Sequence, residues 1–269
     1  MIFLLSCSSQ SETIKIKGSD TEVNLAVLLA EAFHQHHHKI LVSVSGGGSG
    51  LGIASLLNGN ATIANSSRSI KEKEITLFKE RGVQIDSFIF AQDAIAFIVS
   101  DRSALDAVSI DQIAAILSGK TAQWAQLTGG DLPITIYGRQ SNSGTYDYVK
   151  SRLHIHFSPY AKQMNGNAQI IEAIRSDESG IGYVSAGYVF KGKLDGIKVL
   201  SVYTGNNKAV SPLDAKAIAS GLYSFQRPLF QYYRTRDYRK IKAFLDFQQS
   251  EAGAKIIQQS GYYPVKKQA

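Results

Sequence analysis

The chain has 269 residues, of which 44% are hydrophobic and 19% are charged, a composition typical of a globular protein of one or two domains and not of a disordered chain. Its net charge is +7, but the basic residues are scattered, so we expect no nucleic-acid-binding surface. The single cysteine excludes an intrachain disulfide and a metal site built from cysteines.

The first residues form an apolar run that ends at Cys7, in the order Leu4-Leu5-Ser6-Cys7. This pattern is similar to the lipobox of bacterial lipoproteins, in which the cysteine becomes the lipidated first residue. It predicts an exported protein whose residues 1–13 are a leader and linker and whose only membrane attachment is the lipid. The alternative is the start of a cytosolic chain with an inert thiol, because the run is short and lacks a basic region.

Strands and helices alternate in the first third of the chain. Alternating or continuous apolar residues predict strands at 14–17, 40–44 and 61–65. Apolar residues at helical spacing predict a helix over 23–33, and a shorter helix ends at Asn58-Gly59.

The middle third repeats this order. A buried-type strand at 94–99 is followed by a helix over Ile110–Leu117, a loop around Trp124 and a strand at 134–137. The repetition predicts an α/β fold with two similar lobes, each a mainly parallel sheet flanked by helices, that share a cleft at the carboxyl ends of their strands.

Polar turns flanked by glycine stand at three positions where a helix should begin after a strand. A helix N-terminus leaves backbone N–H groups unpaired and attracts anions. Arg68 and Arg139 accompany two of the turn regions and would add guanidinium groups suited to phosphate-like oxygens. The combination predicts a receptor for one small tetrahedral oxyanion. The turns are Gly18-Ser19-Asp20-Thr21, Gly46-Gly47-Gly48-Ser49-Gly50 and Ser143-Gly144-Thr145.

Each turn taken alone has a purely structural interpretation. Ser19 and Glu22 have the spacing of a capping box. Ser143 is a suitable N-cap, and Ser49 could belong to a tight turn without a ligand. The serines therefore indicate an anion site only as a set.

Asp20 is an acidic residue within this anion site, and two interpretations stay open. Its carboxylate could accept a hydrogen bond from a protonated oxyanion such as phosphate and reject sulfate, which carries no proton. Alternatively, it could stabilise a helix dipole from outside the site.

Other chemical motifs are weak or incomplete. His34 and His38 are four residues apart at the end of a helix, but no acidic or cysteine partner flanks them, so we expect a solvated helix end and no metal. Gly119-Lys120-Thr121 is similar to the end of a P-loop, but Ala114 stands where the motif requires glycine. We expect no cofactor.

Six segments together resemble the phosphate-binding proteins of bacterial ABC phosphate transporters (PstS type). The resemblance implies a two-lobed type II periplasmic-binding-protein fold with the ligand cleft at the hinge, lobe I comprising 14–99 and 200–269 and lobe II comprising 100–199. It implies a monomeric periplasmic or cell-surface receptor, not an enzyme, that delivers inorganic phosphate to the permease subunits of an ABC importer. The segments are 16–21, 45–53, 63–68, 138–145, 180–184 and 227–230.

The same resemblance carries phosphate contacts onto eleven positions of this sequence. Some members place an aspartate at or beside the position of Arg68, whereas Asp20 is the only acid in the matching loops here. A receptor for sulfate or molybdate is an alternative. A phosphatase with Ser19 or Ser143 as nucleophile is less favoured, because the motifs contain no histidine or paired carboxylate to act as base. The eleven positions are Ser19, Asp20, Thr21, Ser49, Gly50, Ser67, Arg68, Arg139, Ser143, Gly144 and Thr145.

Overall fold

A computed structural model describes residues 12–190, 194–203 and 208–265; Cys7 and the predicted leader lie outside this part of the chain. The strands are β1 (Glu12–Gly18), β2 (Ile40–Ser45), β3 (Ile63–Ser66), β4 (Ile85–Ser100), β5 (Ala107–Ser109), β6 (Thr135–Arg139), β7 (Lys162–Met164), β8 (Gly180–Ser185), β9 (Ile197–Val199), β10 (Ser201–Tyr203), β11 (Ala209–Val210), β12 (Gln226–Arg234) and β13 (Tyr263–Pro264). The helices are α1 (Val23–His34), α2 (Ser49–Leu57), α3 (Glu72–Glu80), α4 (Ile110–Leu117), α5 (Gly144–Leu153), α6 (Asn167–Ser176), α7 (Ala215–Ala219), α8 (Tyr238–Gln248) and α9 (Glu251–Gln259).

One mixed sheet runs through the molecule in the order β2-β1-β3-β12-β4-β8-β6-β7, and β9 and β13 also pair with β4. Its outer strands are parallel: β1 pairs with β2 and β3, and β6 pairs with β7 and β8. The central strands β4 and β12 are antiparallel to each other and to their neighbours. The predicted α/β fold is confirmed, and the antiparallel centre is a feature that the sequence did not predict.

The strand β4 belongs to both halves of this sheet. Its first part pairs with β12, whereas its last residues pair with β8 and β9. We call the half that contains β1, β2, β3 and β12 lobe I and the half that contains β6, β7 and β8 lobe II. The predicted strand 94–99 is therefore the second part of a longer strand that links the lobes.

Each lobe has its own hydrophobic core. In lobe I, Leu25, Leu29 and Phe33 of α1 pack against residues of β1 and of α8. The core of lobe II contains residues from Ala94 to Phe225. Val202 and Ile218, which the sequence assigns to lobe I, pack in this second core. The lobe boundaries stay a prediction, and the packing favours a return to lobe I after Phe225.

The register of the parallel strands brings the predicted motifs to one edge. Gly18 at the end of β1 lies beside Asn65 of β3, and Lys17 lies beside Ser45 of β2. The polar turns follow these positions directly, because the carboxyl ends of parallel strands meet at the same edge. None of the helices in the described ranges is both long and apolar enough to span a membrane.

Candidate functional site

Three serines of lobe I meet at this edge. The hydroxyl of Ser19, after β1, donates to Ser67 Oγ at 3.0 Å. The backbone N–H of Ser67, after β3, donates to Ser49 Oγ at 3.1 Å. All three side chains are buried. The structure therefore brings together serines that lie on three separate segments.

The capping-box interpretation of Ser19 and Glu22 is wrong. Residues Asp20–Glu22 form a turn of 3-10 helix, α1 begins only at Val23, and the Ser19 side chain caps neither. Glu22 is buried instead of reaching back to the chain. The hydroxyl of Ser19 is thereby directed to Ser67 and the site.

Ser49 begins α2 after a turn that requires glycine. Gly47 and Gly48 have φ angles of +123° and +98°, which side chains with a β-carbon rarely adopt. The turn is held to the end of β1 because Gly48 N–H donates to Gly18 O at 2.8 Å. Ser49 is therefore a buried side chain of the site in addition to being part of a tight turn.

Lobe II contributes the N-terminus of α5. Ser143 is its N-cap and accepts hydrogen bonds from the N–H groups of Thr145 and Tyr146, so the N-cap interpretation of Ser143 is confirmed. Gly144 lies so close to lobe I that a β-carbon there would stand 2.6 Å from Ser67 Oγ. Thr145 Oγ1 lies 3.1 Å from Thr21 Oγ1. The two lobes are therefore in contact through the hydroxyl groups of Thr21 and Thr145.

Arg139 ends β6 and is 2% exposed. Its Nη2 donates to Asn165 O at 3.0 Å, and its Nη1 lies 3.4 Å from Asp20 Oδ2. Nε and Nη1 have no hydrogen-bond partner. Burial lowers the pKa of the guanidinium, and Asp20 opposes that effect. Because arginine stays charged in proteins, this cation lacks acceptors that an anion would supply.

Asp20 is held by lobe II. Its Oδ2 accepts from the backbone N–H and the side-chain amide of Asn167, at 2.9 and 2.7 Å, and Asn167 is the first residue of α6. The same oxygen faces Arg139. The carboxylate of Asp20 therefore lies at the N-terminus of α6, a helix of lobe II, although Asp20 itself belongs to lobe I. The contacts leave its second oxygen, Oδ1, as a free acceptor position.

Two predicted contacts have other partners in this structure. The guanidinium of Arg68 makes two hydrogen bonds to Glu74, at 2.7 and 2.8 Å, and its Nε lies 3.0 Å from Asp147. The N–H of Gly50 donates to Asn142 O at 3.0 Å. Phosphate contacts from Arg68 and Gly50 therefore stay a prediction. The hydrogen bonds argue against it, because these donors already have acceptors within the protein.

Sequence reasoning did not assign a role in the site to another buried arginine, Arg227 of β12, or to its partner Asp93 of β4. Arg227 Nη2 lies 2.9 Å from Asp93 Oδ2 and also donates to Thr145 Oγ1 at 3.0 Å. The available signal was a charged residue directly before the apolar stretch Pro228-Leu229-Phe230, in a segment that already carries the family resemblance. Burial raises the pKa of Asp93, and Arg227 opposes that rise.

The arrangement is suited to a small anion with several oxygens. Its buried hydroxyls lie at the carboxyl edge of the sheet, and the under-bonded guanidinium of Arg139 is linked to the same edge through Asp20. The oxygens of such an anion would accept hydrogen bonds from these groups. In the described part of the chain no group of three or more His, Cys, Asp and Glu residues could hold a metal ion. The hydroxyls belong to Ser19, Thr21, Ser49, Ser67, Ser143 and Thr145.

Proteins that are similar to this chain in sequence or fold include phosphate-binding proteins. The chain is 28% identical to protein SphX of Synechococcus elongatus, over 97% of this chain and 80% of SphX. It is 26% identical to the phosphate-binding protein PstS of Staphylococcus saprophyticus, over 94% of this chain and 81% of that protein. A Clostridium perfringens structure, described as a phosphate ABC transporter substrate-binding protein with bound phosphate, is similar with a TM-score of 0.85 at 25% identity, over 95% of this chain and 100% of that one.

These similarities confirm the expected two-lobed type II periplasmic-binding-protein fold and the resemblance to PstS-type proteins. The sequence pattern of a family described as "PBP superfamily domain" matches residues 7–252 of this chain. Because this match covers most of the chain, the protein belongs to the PBP superfamily.

Proposed function

We propose that this protein is an extracytoplasmic receptor that captures inorganic phosphate between its lobes and delivers it to the permease of an ABC importer. The relatives named above support phosphate as the ligand. The observation that carries the proposal is Arg139, a buried guanidinium with two nitrogens that have no hydrogen-bond partner. One of them lies 3.4 Å from Asp20 of lobe I, which stands between Ser19 and Thr21 in the chain. Lipid attachment through Cys7, a monomeric state and a periplasmic or cell-surface location are parts of the same proposal.

The proposed contacts come from both lobes, which would explain how binding closes the cleft. Lobe I supplies Ser19, Thr21, Ser49 and Ser67, and lobe II supplies Arg139, Ser143, Gly144 and Thr145. Asp20 would accept a hydrogen bond from a protonated phosphate oxygen through Oδ1, because Asn167 and Arg139 engage Oδ2. Sulfate lacks that proton, so its oxygen would meet the carboxylate without a hydrogen bond.

A phosphatase is disfavoured by the partners of the candidate nucleophiles. The hydroxyl of Ser19 donates to Ser67, and that of Ser143 caps α5. Burial raises the pKa of the Glu22 carboxyl, the acidic group three residues after Ser19, well above the ordinary value. A carboxyl group whose protonated form is favoured by burial is a poor candidate for the general base.

Calorimetric titration of phosphate into the Arg139→Ala variant tests the proposal. We expect phosphate binding to weaken by about 2–5 kcal/mol, as for truncation of a buried charge that contacts a ligand. The matched control is Arg152→Ala, because Arg152 is an exposed arginine whose Nε donates to Ser224 O at 3.0 Å, away from the site. Unchanged affinity in Arg139→Ala would remove the observation on which the proposal stands.

A further inference from the structure

Arg227 is a buried cation that three strands hold in place. It is 3% exposed on β12, and its Nε and Nη2 donate to Asp93 Oδ2 at 3.1 and 2.9 Å. Asp93, on β4, is fully buried and accepts a hydrogen bond of 2.6 Å from Ser185 Oγ at the end of β8. Because β4 links the lobes, the ion pair is anchored where they join.

The guanidinium of Arg227 also reaches residues of the proposed phosphate site. Nη1 donates to Ser67 O at 3.1 Å. Nη2 shares its two hydrogens among Asp93 Oδ2, Thr21 Oγ1 at 3.2 Å and Thr145 Oγ1 at 3.0 Å. One planar guanidinium thus binds site residues of lobe I and lobe II at the same time.

These bonds determine which way the threonine hydroxyls point. A threonine hydroxyl has one hydrogen to donate, whereas its oxygen accepts, and arginine has no acceptor. The oxygens of Thr21 and Thr145 therefore accept from Arg227, and their hydrogens remain for another acceptor. The two oxygens are 3.1 Å apart, so they donate to each other or to an anion between the lobes.

Arg227 is also shielded on the side of lobe II. Its guanidinium carbon lies 5.3 Å from the ring centre of Tyr148, a residue of α5. The Tyr148 hydroxyl donates to Gln226 O at 2.9 Å, which fixes α5 to the strand that carries Arg227. Closure of lobe II therefore places both the ring and Thr145 against the same cation.

We propose that Arg227, fixed by Asp93, is a positioning residue that joins the two lobes behind the anion and aims the hydroxyls of Thr21 and Thr145 at it. This inference rests on the proposed phosphate function. It adds a residue that does not touch the ligand but sets the closed geometry. Lysine would keep the charge but not the planar fork that reaches several acceptors at once.

The test measures phosphate binding and closure in Arg227→Lys, with the conservative variant Arg152→Lys as control. We expect phosphate affinity to fall by about tenfold or more in Arg227→Lys and to stay unchanged in the control. We also expect the decrease in radius of gyration at saturating phosphate, measured by small-angle X-ray scattering, to be smaller than in the wild type. A purely structural role would lower the melting temperature without phosphate and leave closure at saturation intact.

The outcomes separate the two proposals. If the wild type does not bind phosphate, the proposed function is wrong. If the wild type binds and Arg227→Lys binds and closes equally well, only the role of Arg227 is wrong. If Arg227→Lys does not fold, Asp93→Asn is titrated in its place, because it removes the carboxylate that fixes Arg227; unchanged affinity and closure in that variant overturn the inference.

Discussion

Glu22 has a carboxyl group that lies behind the site without a hydrogen-bond donor. Its side chain is 0% exposed, and both carboxyl oxygens lack hydrogen-bond partners. Burial raises its pKa well above the ordinary value, and Arg227 and Ser19 oppose that rise, whereas Asp93 adds to it. Full burial with no hydrogen bond to either oxygen favours the protonated form of Glu22 in the folded protein.

This proton makes stability depend on pH. A carboxyl whose pKa is higher in the folded than in the unfolded state contributes stability that is present below the unfolded pKa and lost as the pH rises toward the folded pKa. Glu22→Gln keeps the size and removes the titration. We expect the free energy of unfolding of Glu22→Gln relative to the wild type to increase by about 1.4 kcal/mol per pH unit above about pH 4.3.

Urea unfolding in phosphate-free buffer over a pH series measures this difference. The other titrating groups are common to both chains, so they cancel in the comparison. Glu72→Gln, which removes a carboxylate from the exposed face of α3, is the matched control. A constant difference between Glu22→Gln and the wild type across the series would mean that Glu22 is ionised in the folded protein.

The proposed role of Asp20 is to accept a hydrogen bond from the protonated oxygen of phosphate. Asp20→Asn keeps the shape and adds an amide donor beside Arg139, so we expect sulfate to compete for the site in this variant and not in the wild type. Competition calorimetry measures the change. Asn167→Ala is the control, because it removes a side-chain donor to Asp20 without changing the carboxylate. If sulfate still does not compete with phosphate in Asp20→Asn, the role of Asp20 as hydrogen-bond acceptor for the protonated ligand is wrong.

At the level of elements, the N-terminus of α5 must approach the N-terminus of α2 closely. A β-carbon on Gly144 would stand 2.6 Å from Ser67 Oγ and closer still to Ser49 Oγ. Alanine favours a helix more than glycine does, so α5 itself would not suffer. We expect Gly144→Ala to weaken phosphate binding by about tenfold or more, through lost closure, while the melting temperature without phosphate is unchanged or higher.

Titration of phosphate into Gly144→Ala, together with its melting curve, checks this expectation. Gly130→Ala is the control, because a β-carbon there would make only ordinary contacts, the nearest at 3.7 Å. Equal phosphate affinity in both variants would show that the approach of α5 to α2 is not required for binding.

The elements that the sequence predicted well are those set by local patterns. The strands at 14–17, 40–44 and 61–65 and the first helix follow from apolar alternation and spacing, and the Ser143 cap follows from its own turn. Glu22 shows the limit of a local rule: its spacing fits a capping box, but the chain forms a 3-10 turn that buries it. The residues near Glu22 in the folded protein include Asp93 of β4 and Arg227 of β12. The four residues of the capping-box pattern contain no information about such distant neighbours.

Long-range contacts explain what the sequence did not predict. Arg227 and Asp93 are 134 residues apart, and no periodicity connects them. Arg68 fits an anion site in its own turn, but Glu74 on α3 and Asp147 on α5 surround it in the folded protein. The antiparallel pairing of β12 with β4 likewise joins distant segments.

In the whole molecule, the two lobes are held together by polar contacts around the site. Asp147 of lobe II pairs with Arg68 and Lys71 of lobe I at the rim. Asp20 of lobe I pairs with Asn167 and Arg139 of lobe II nearer the centre. Charged groups and hydroxyls, not apolar surfaces, therefore form the described contacts nearest the site. An anion that satisfies Arg139 and the hydroxyls would favour this closed arrangement over an open one.

The most direct test of the account is a calorimetric titration of the phosphate-free wild-type protein with phosphate, repeated in the presence of excess sulfate or molybdate. We predict binding of one phosphate with a dissociation constant in the micromolar range or tighter, about −8 kcal/mol or more favourable, unaffected by sulfate or molybdate. Displacement of phosphate by either anion, or no heat of phosphate binding, would contradict the account.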